Sequence, residues 1–141
     1  WLSRNKIMIR TFIDTDVLIT AARGSDSTMQ IALDILRDSE REFASSPFLK
    51  LELLPKAIYN NRQPEVAFYE AYFAIVTCWA NDLDAIVEAA YREVAEFGLG
   101  AMDALHIAAA VAVGADEFIT NEKPEKSIHR TFSIPIISIR S

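Results

Sequence analysis

The chain has 141 residues, enough for one domain with a sizeable core, and its 51% apolar and 24% charged content is ordinary for a globular protein. A net charge of −6 argues against a simple nucleic-acid binder, and one Cys with two His leaves no zinc-finger spacing. The lone Cys78 excludes an internal disulfide and fits a reducing, cytoplasmic setting, where it reads as a small buried hydrophobe.

No apolar run approaches bilayer length and no signal-peptide pattern opens the chain, so no membrane partner is expected. Met8 reads as the natural start, with residues 1–7 an extension and a single domain over 8–141. Ile7 to Asp14 is predicted as the first strand, β-branched and flanked by polar residues. Val17 to Ala22 is a short helix stopping near Gly24. Ser27-Thr28-Met29-Gln30 matches a capping box and opens a helix to about Ser39. Glu42 to Ser45 is a second strand, after which Ser46-Pro47 supplies a cap and a first-turn proline for a helix carrying Leu51, Glu52 and Leu54.

Pro64 starts the next helix, with Val66, Tyr69, Tyr72, Phe73 and Val76 on one face. Cys78 to Asn81 is a third strand, and Leu83, Ile86, Val87, Ala90, Tyr91 and Val94 form a 3.6-residue stripe ending at Gly98 or Gly100. An apolar helix from Ala101 to Val113 follows, then strands at Glu117 to Thr120 and Ile134 to Ile139. Short strands alternating with helices predict an α/β sandwich with a mainly parallel sheet. In such sheets the functional crevice lies at the carboxyl ends of the strands.

Asp14 and the Thr120-Asn121-Glu122 segment sit at such ends, and Asp103 and His106 are the polar side chains of an otherwise apolar helix. Ionised groups are rarely buried unless they are paired or hold a metal. Asp14 also suits an N-cap, although Asp16, directly before the apolar residues, has the stronger claim to that role. Glu52 has an i,i+4 ion pair with Lys56 as its alternative reading. His106 is expected to hydrogen-bond backbone or Asp103 rather than ligate directly, and His129 to be solvated in a polar loop. Asp116 lies at the wrong end of its strand, while Glu122 opens a charged turn with Lys123. Clustered carboxylates repel by about 4 kcal/mol per pair at an effective dielectric near 20, a cost that a divalent cation removes. Such a cation supports phosphodiester hydrolysis by activating water and stabilising the leaving oxygen. Oxygen ligands suit Mg²⁺ or Mn²⁺.

Phe12-Ile13-Asp14-Thr15-Asp16-Val17-Leu18, Glu52 within Ser46 to Leu53, Met102-Asp103-Ala104-Leu105-His106-Ile107-Ala108 and Phe118-Ile119-Thr120-Asn121-Glu122 together resemble the PIN-domain family, which includes the ribonuclease toxins of toxin–antitoxin modules. The resemblance runs from Met8 to Ser141. It implies a three-layer α/β/α sandwich, PIN-like, with a mainly parallel sheet, and Mg²⁺- or Mn²⁺-dependent cleavage of single-stranded RNA, with the metal and catalytic residues on Asp14, Glu52, Asp103 and Glu122. Asp16, Thr120, Asn121 and His106 would support them. Asp16 stands where the family often has Asn or Ser, and Glu122 where Asp is usual.

Two other readings compete: a PIN-like scaffold without catalysis, and a haloacid-dehalogenase-like phosphatase suggested by Asp14-Thr15-Asp16-Val17. The second lacks the paired Asp-Asp expected after a later strand. Ser27 to Ser39 and Pro64 to Val76 carry broad apolar stripes, which predict an interface. A homodimer would bring the substrate-binding candidates Arg23, Lys56 and Lys123 of two subunits to one groove. The resemblance adds a protein antitoxin as a partner.

Overall fold

A computed structural model describes residues 7–140; residues 1–6 of the expected N-terminal extension lie outside the described residues. Five strands, β1 (Ile9–Ile13), β2 (Arg41–Ser45), β3 (Cys78–Trp79), β4 (Glu117–Thr120) and β5 (Ile136–Ser138), form one parallel sheet in the order β3-β2-β1-β4-β5. Parallel neighbours need long crossovers, and helices provide most of them. They are α1 (Thr15–Arg23), α2 (Ser27–Leu36), α3 (Pro47–Tyr59), α4 (Gln63–Ile75), α5 (Leu83–Phe97) and α6 (Ala101–Ala112). The α1–α4 helices pack among themselves, and α5 packs on α6. Because crossovers are right-handed, the two groups cover opposite faces of the sheet.

Alternation along the strands assigns the core to two layers. Thr11 and Phe43 are in register, and Phe43 meets Tyr72 of α4 edge-on at 5.9 Å. Phe12 and Phe118, also in register, stack at 5.5 Å on the other face beneath α6. The small Ala104, Ala108, Ala109 and Ala110 are buried and let α6 lie close to the strands. The strand order reverses at the β1–β4 pair, where a crevice opens beyond the carboxyl ends.

Local departures from the sequence reading have local causes. β1 begins at Ile9 and β5 spans only Ile136–Ser138, since each strand extends no further than its neighbour can pair it. Asp26, not Ser27, caps α2 by accepting the Thr28 N–H at 3.1 Å, and Gln30 turns to Asp34 instead of closing a capping box. That helix stops at Leu36, short of Ser39. Ser46 caps α3 as expected, accepting the Leu49 N–H at 3.2 Å, and Gly98 ends α5 with φ 70°, a left-handed conformation that suits glycine.

The apolar stripes are redistributed. Tyr69, Tyr72 and Phe73 of α4 are core, and α2 leaves Ile31 as its exposed large hydrophobe. It is α5 that presents Val87, Tyr91 and Val94 to solvent, beside Leu105 of α6. The sheet needs only Ile86 and Ala90 from α5, so the rest of its stripe stays outside. Cys78 is half-buried rather than buried, being on the short edge strand β3. No single helix among the described residues is long and apolar enough to cross a membrane.

Candidate active site

The site begins with Asp14, one residue past β1 and 4% exposed. It is the N-cap of α1, and its Oδ1 accepts the Thr15 N–H at 2.8 Å. Asp16 is therefore not the cap. It lies in the first turn, where its Oδ1 accepts the Asn121 N–H at 2.9 Å across the β1–β4 crevice. Asn121 is held in turn by Thr20, to which its side-chain amide donates at 2.9 Å.

Thr120, fully buried at the end of β4, links the two aspartates. Its hydroxyl lies 2.9 Å from Asp14 Oδ2 and 3.2 Å from Asp16 Oδ2. A hydroxyl has one proton, so it can donate to one carboxylate at a time. The remaining oxygen then needs a proton, a water or a cation. Burial, followed by the charges of Asp16 and Asp103, pushes the Asp14 carboxyl well above its usual range. Burial also raises Asp16 to about 6, with Glu122 adding to the rise. Asp103 in the first turn of α6 is raised mainly by burial, and Glu122 and Glu52 contribute.

Glu52 does not pair with Lys56. Its Oε1 accepts from His106 Nε2 at 2.8 Å and from the Thr15 hydroxyl at 3.0 Å, and the His106 bond holds its carboxyl below the usual range. His106 thus bonds neither backbone nor Asp103. A carboxylate only accepts, so the His106 proton sits on Nε2; Nδ1 is buried without a partner. The imidazole is 1% exposed, 6.5 Å from the Phe12 ring.

Ligand atoms of Asp14, Glu52 and His106 lie within 4.8 Å of one another. Asp16 and Asp103 act on Asp14 through their charges, Asp103 also feels Glu52 and His106, and Glu122 acts on Asp16 and Asp103. The Glu122 backbone is fixed by Ser138 and by His129, whose Nε2 meets the Glu122 carbonyl at 3.1 Å; His129 is part of a 3-10 turn rather than a solvated loop. The residues fit a hard divalent cation: oxygen donors predominate, and one buried carboxylate faces like charges without a counter-charge. Arg23 and Lys56 line a pocket with Glu52, and Lys123 lies across the site beside Asp16 and Glu122. The sequence reading missed Thr15, for which its place right after a strand-end Asp was the available signal.

The PIN domain family profile matches residues 11–124. The chain belongs to the PIN domain family. Solved structures agree on the fold. The DNA-bound VapBC of Salmonella typhimurium aligns with TM-score 0.70 at 18% identity, over 94% of this chain and 99% of that one. VapBC2 of Rickettsia felis, bound to a promoter DNA fragment, gives TM-score 0.68 at 15% identity, over 92% and 98%. VapC20 of Mycobacterium tuberculosis, a toxin that cleaves the Sarcin-Ricin loop, gives 0.61 at 16%, over 77% and 86%. No curated protein sequence matches. Membership of the PIN family displaces the haloacid-dehalogenase-like reading.

Proposed function

We propose that this PIN domain, spanning residues 8–141, is a metal-dependent endoribonuclease that cuts single-stranded RNA and acts as the toxin of a toxin–antitoxin pair. The observation that carries this reading is the single Thr120 hydroxyl shared between the buried Asp14 and the half-buried Asp16 at the sheet's switch point. Asp14, Glu52, Asp103 and Glu122 would hold Mg²⁺ or Mn²⁺, with Asp14 the most enclosed. When bound, such an ion supplies an activated water and stabilises the charge that develops at the leaving oxygen.

The chain's own groups prepare that chemistry. Thr120 orients Asp14, and His106 together with Thr15 fixes the rotamer of Glu52. Asn121 holds Asp16 facing the crevice. Arg23, Lys56 and Lys123 are the cations that flank the acids and would take the RNA backbone. The partners in this reading are a protein antitoxin and a second copy of the chain. The exposed α5 face of Val87, Tyr91 and Val94 supports an interface better than α2 or α4.

The test compares Mn²⁺-dependent cleavage of single-stranded RNA with hydrolysis of a small phosphomonoester. RNA cleavage alone is the expected result. Phosphomonoester turnover alone would overturn the reading, and neither activity would favour the non-catalytic scaffold.

A further inference from the structure

Between α1, α3 and α4 lies a cavity of about 260 Å³ that reaches the candidate active site through Glu52. Its chemistry is opposite to that of the acids next to it. Arg23, Lys56 and Arg62 line it, against one further acid, Glu65, in a chain whose net charge is −6. Glu65 is 9% exposed and serves as an anchor. Its Oε1 accepts from Arg23 Nε at 2.9 Å and from the Tyr69 hydroxyl at 3.1 Å, and its Oε2 meets Arg62 Nη1 at 3.4 Å. Tyr69, 1% exposed, is locked in place by that bond. Each guanidinium has five N–H donors and gives Glu65 only part of them, so donors remain for a ligand. Two positioned guanidiniums and a free-ended Lys56 leave the cavity with a surplus of positive charge, which suits a phosphodiester.

Resting on the ribonuclease reading, we propose that this cavity seats a backbone phosphate of the RNA strand next to the bond being cut. Arg62 and Lys56 contact it, and Glu65 positions Arg23 and Arg62. The strand would thereby be held on the side of Glu52, with its register set by α3 and α4.

The experiment measures binding of a short fluorescent single-stranded RNA by anisotropy in Ca²⁺, over a range of salt, alongside Mn²⁺-dependent cleavage by the wild type. Lys56→Glu and Arg62→Glu should each weaken binding about tenfold and lower the salt slope by about one. Arg92→Glu, an exposed charge on α5, should bind as the wild type does. If Lys56→Glu and Arg62→Glu bind like Arg92→Glu while the wild type cleaves RNA, the phosphate seat is wrong and the ribonuclease reading stands; an acidic partner segment in the cavity would give that result. If the wild type neither binds nor cleaves RNA, both fall.

Discussion

The two ends of the sheet hold acids in opposite ways. At the amino end Asp38, Glu42, Asp116 and Glu117 each have a cation or a donor. Arg10 Nε meets Glu42 at 2.8 Å, Arg41 meets Glu117 at 3.0 Å and Asp38 at 3.2 Å, and Asp116 accepts the Arg10 backbone N–H at 2.8 Å. At the carboxyl end Asp14 faces both Asp16 and Asp103; hydrogen bonds from Thr120, Thr15 and Asn121 relieve Asp14 and Asp16, and no Lys or Arg ion pair reaches the three among the described residues. Both ends contain partly or fully buried carboxylates in one small fold, so burial alone does not distinguish a functional acid. The missing counter-charge does. The amino end is balanced for structure, and the carboxyl end is left for something to bind.

The strongest way to break this comparison is to remove charge from the carboxyl end. Asp14→Asn and Asp103→Asn should each lower RNA cleavage by at least about a hundredfold while the chain stays folded, because losing one ligand disables the whole site. Cleavage assays on purified variants read this directly, and retained activity in either would detach the acids from the chemistry.

The second test is pH. The folded pKa of Asp16 is raised from 3.8 to about 6, so its protonated form stabilises the fold. That contribution is complete below about pH 4 and is lost as pH rises through about 6, roughly 3 kcal/mol in size. The raised Asp14 and Asp103 act in the same direction, and the lowered Glu52 opposes them. Urea unfolding without metal should therefore show stability falling from pH 4 to 7, and Asp16→Asn should flatten the slope.

Divalent metal should reverse that loss. At a concentration a hundred times the dissociation constant the gain is about 2.7 kcal/mol. Melting curves in Mg²⁺ and Mn²⁺ should show it in the wild type and show little of it in Asp103→Asn. The smallest effect belongs to the balanced end. Arg41→Ala leaves Glu117 with the Thr11 hydroxyl alone, at 2.7 Å, and should cost about 2 kcal/mol, the worth of a part-buried hydrogen bond to a charged group. The metal-induced increment and the cleavage rate of the folded variant should remain those of the wild type, which separates the two ends experimentally.

Much of this was readable along the chain because it depends on near neighbours. A Ser-Pro start, a left-handed glycine stop and β-branched residues act within a few positions, so β4, the start of α3 and the end of α5 follow from local chemistry. The strand-end place of Asp14 and the anomaly of Asp103 in an apolar helix are equally local. Tertiary structure decided the pairings. Glu52 had Lys56 one turn away, yet it bonds His106, 54 residues on, because α3 and α6 meet at the crevice and the half-buried bond to an ordered imidazole outweighs an exposed ion pair. Asp16 lost the cap to Asp14 because the Asn121 N–H was waiting across the sheet. Which apolar stripe became core and which stayed exposed also lay beyond local pattern. Periodicity marks a helix face, but only the packed neighbours determine whether that face is covered, and they cover α4 while leaving much of α5 open.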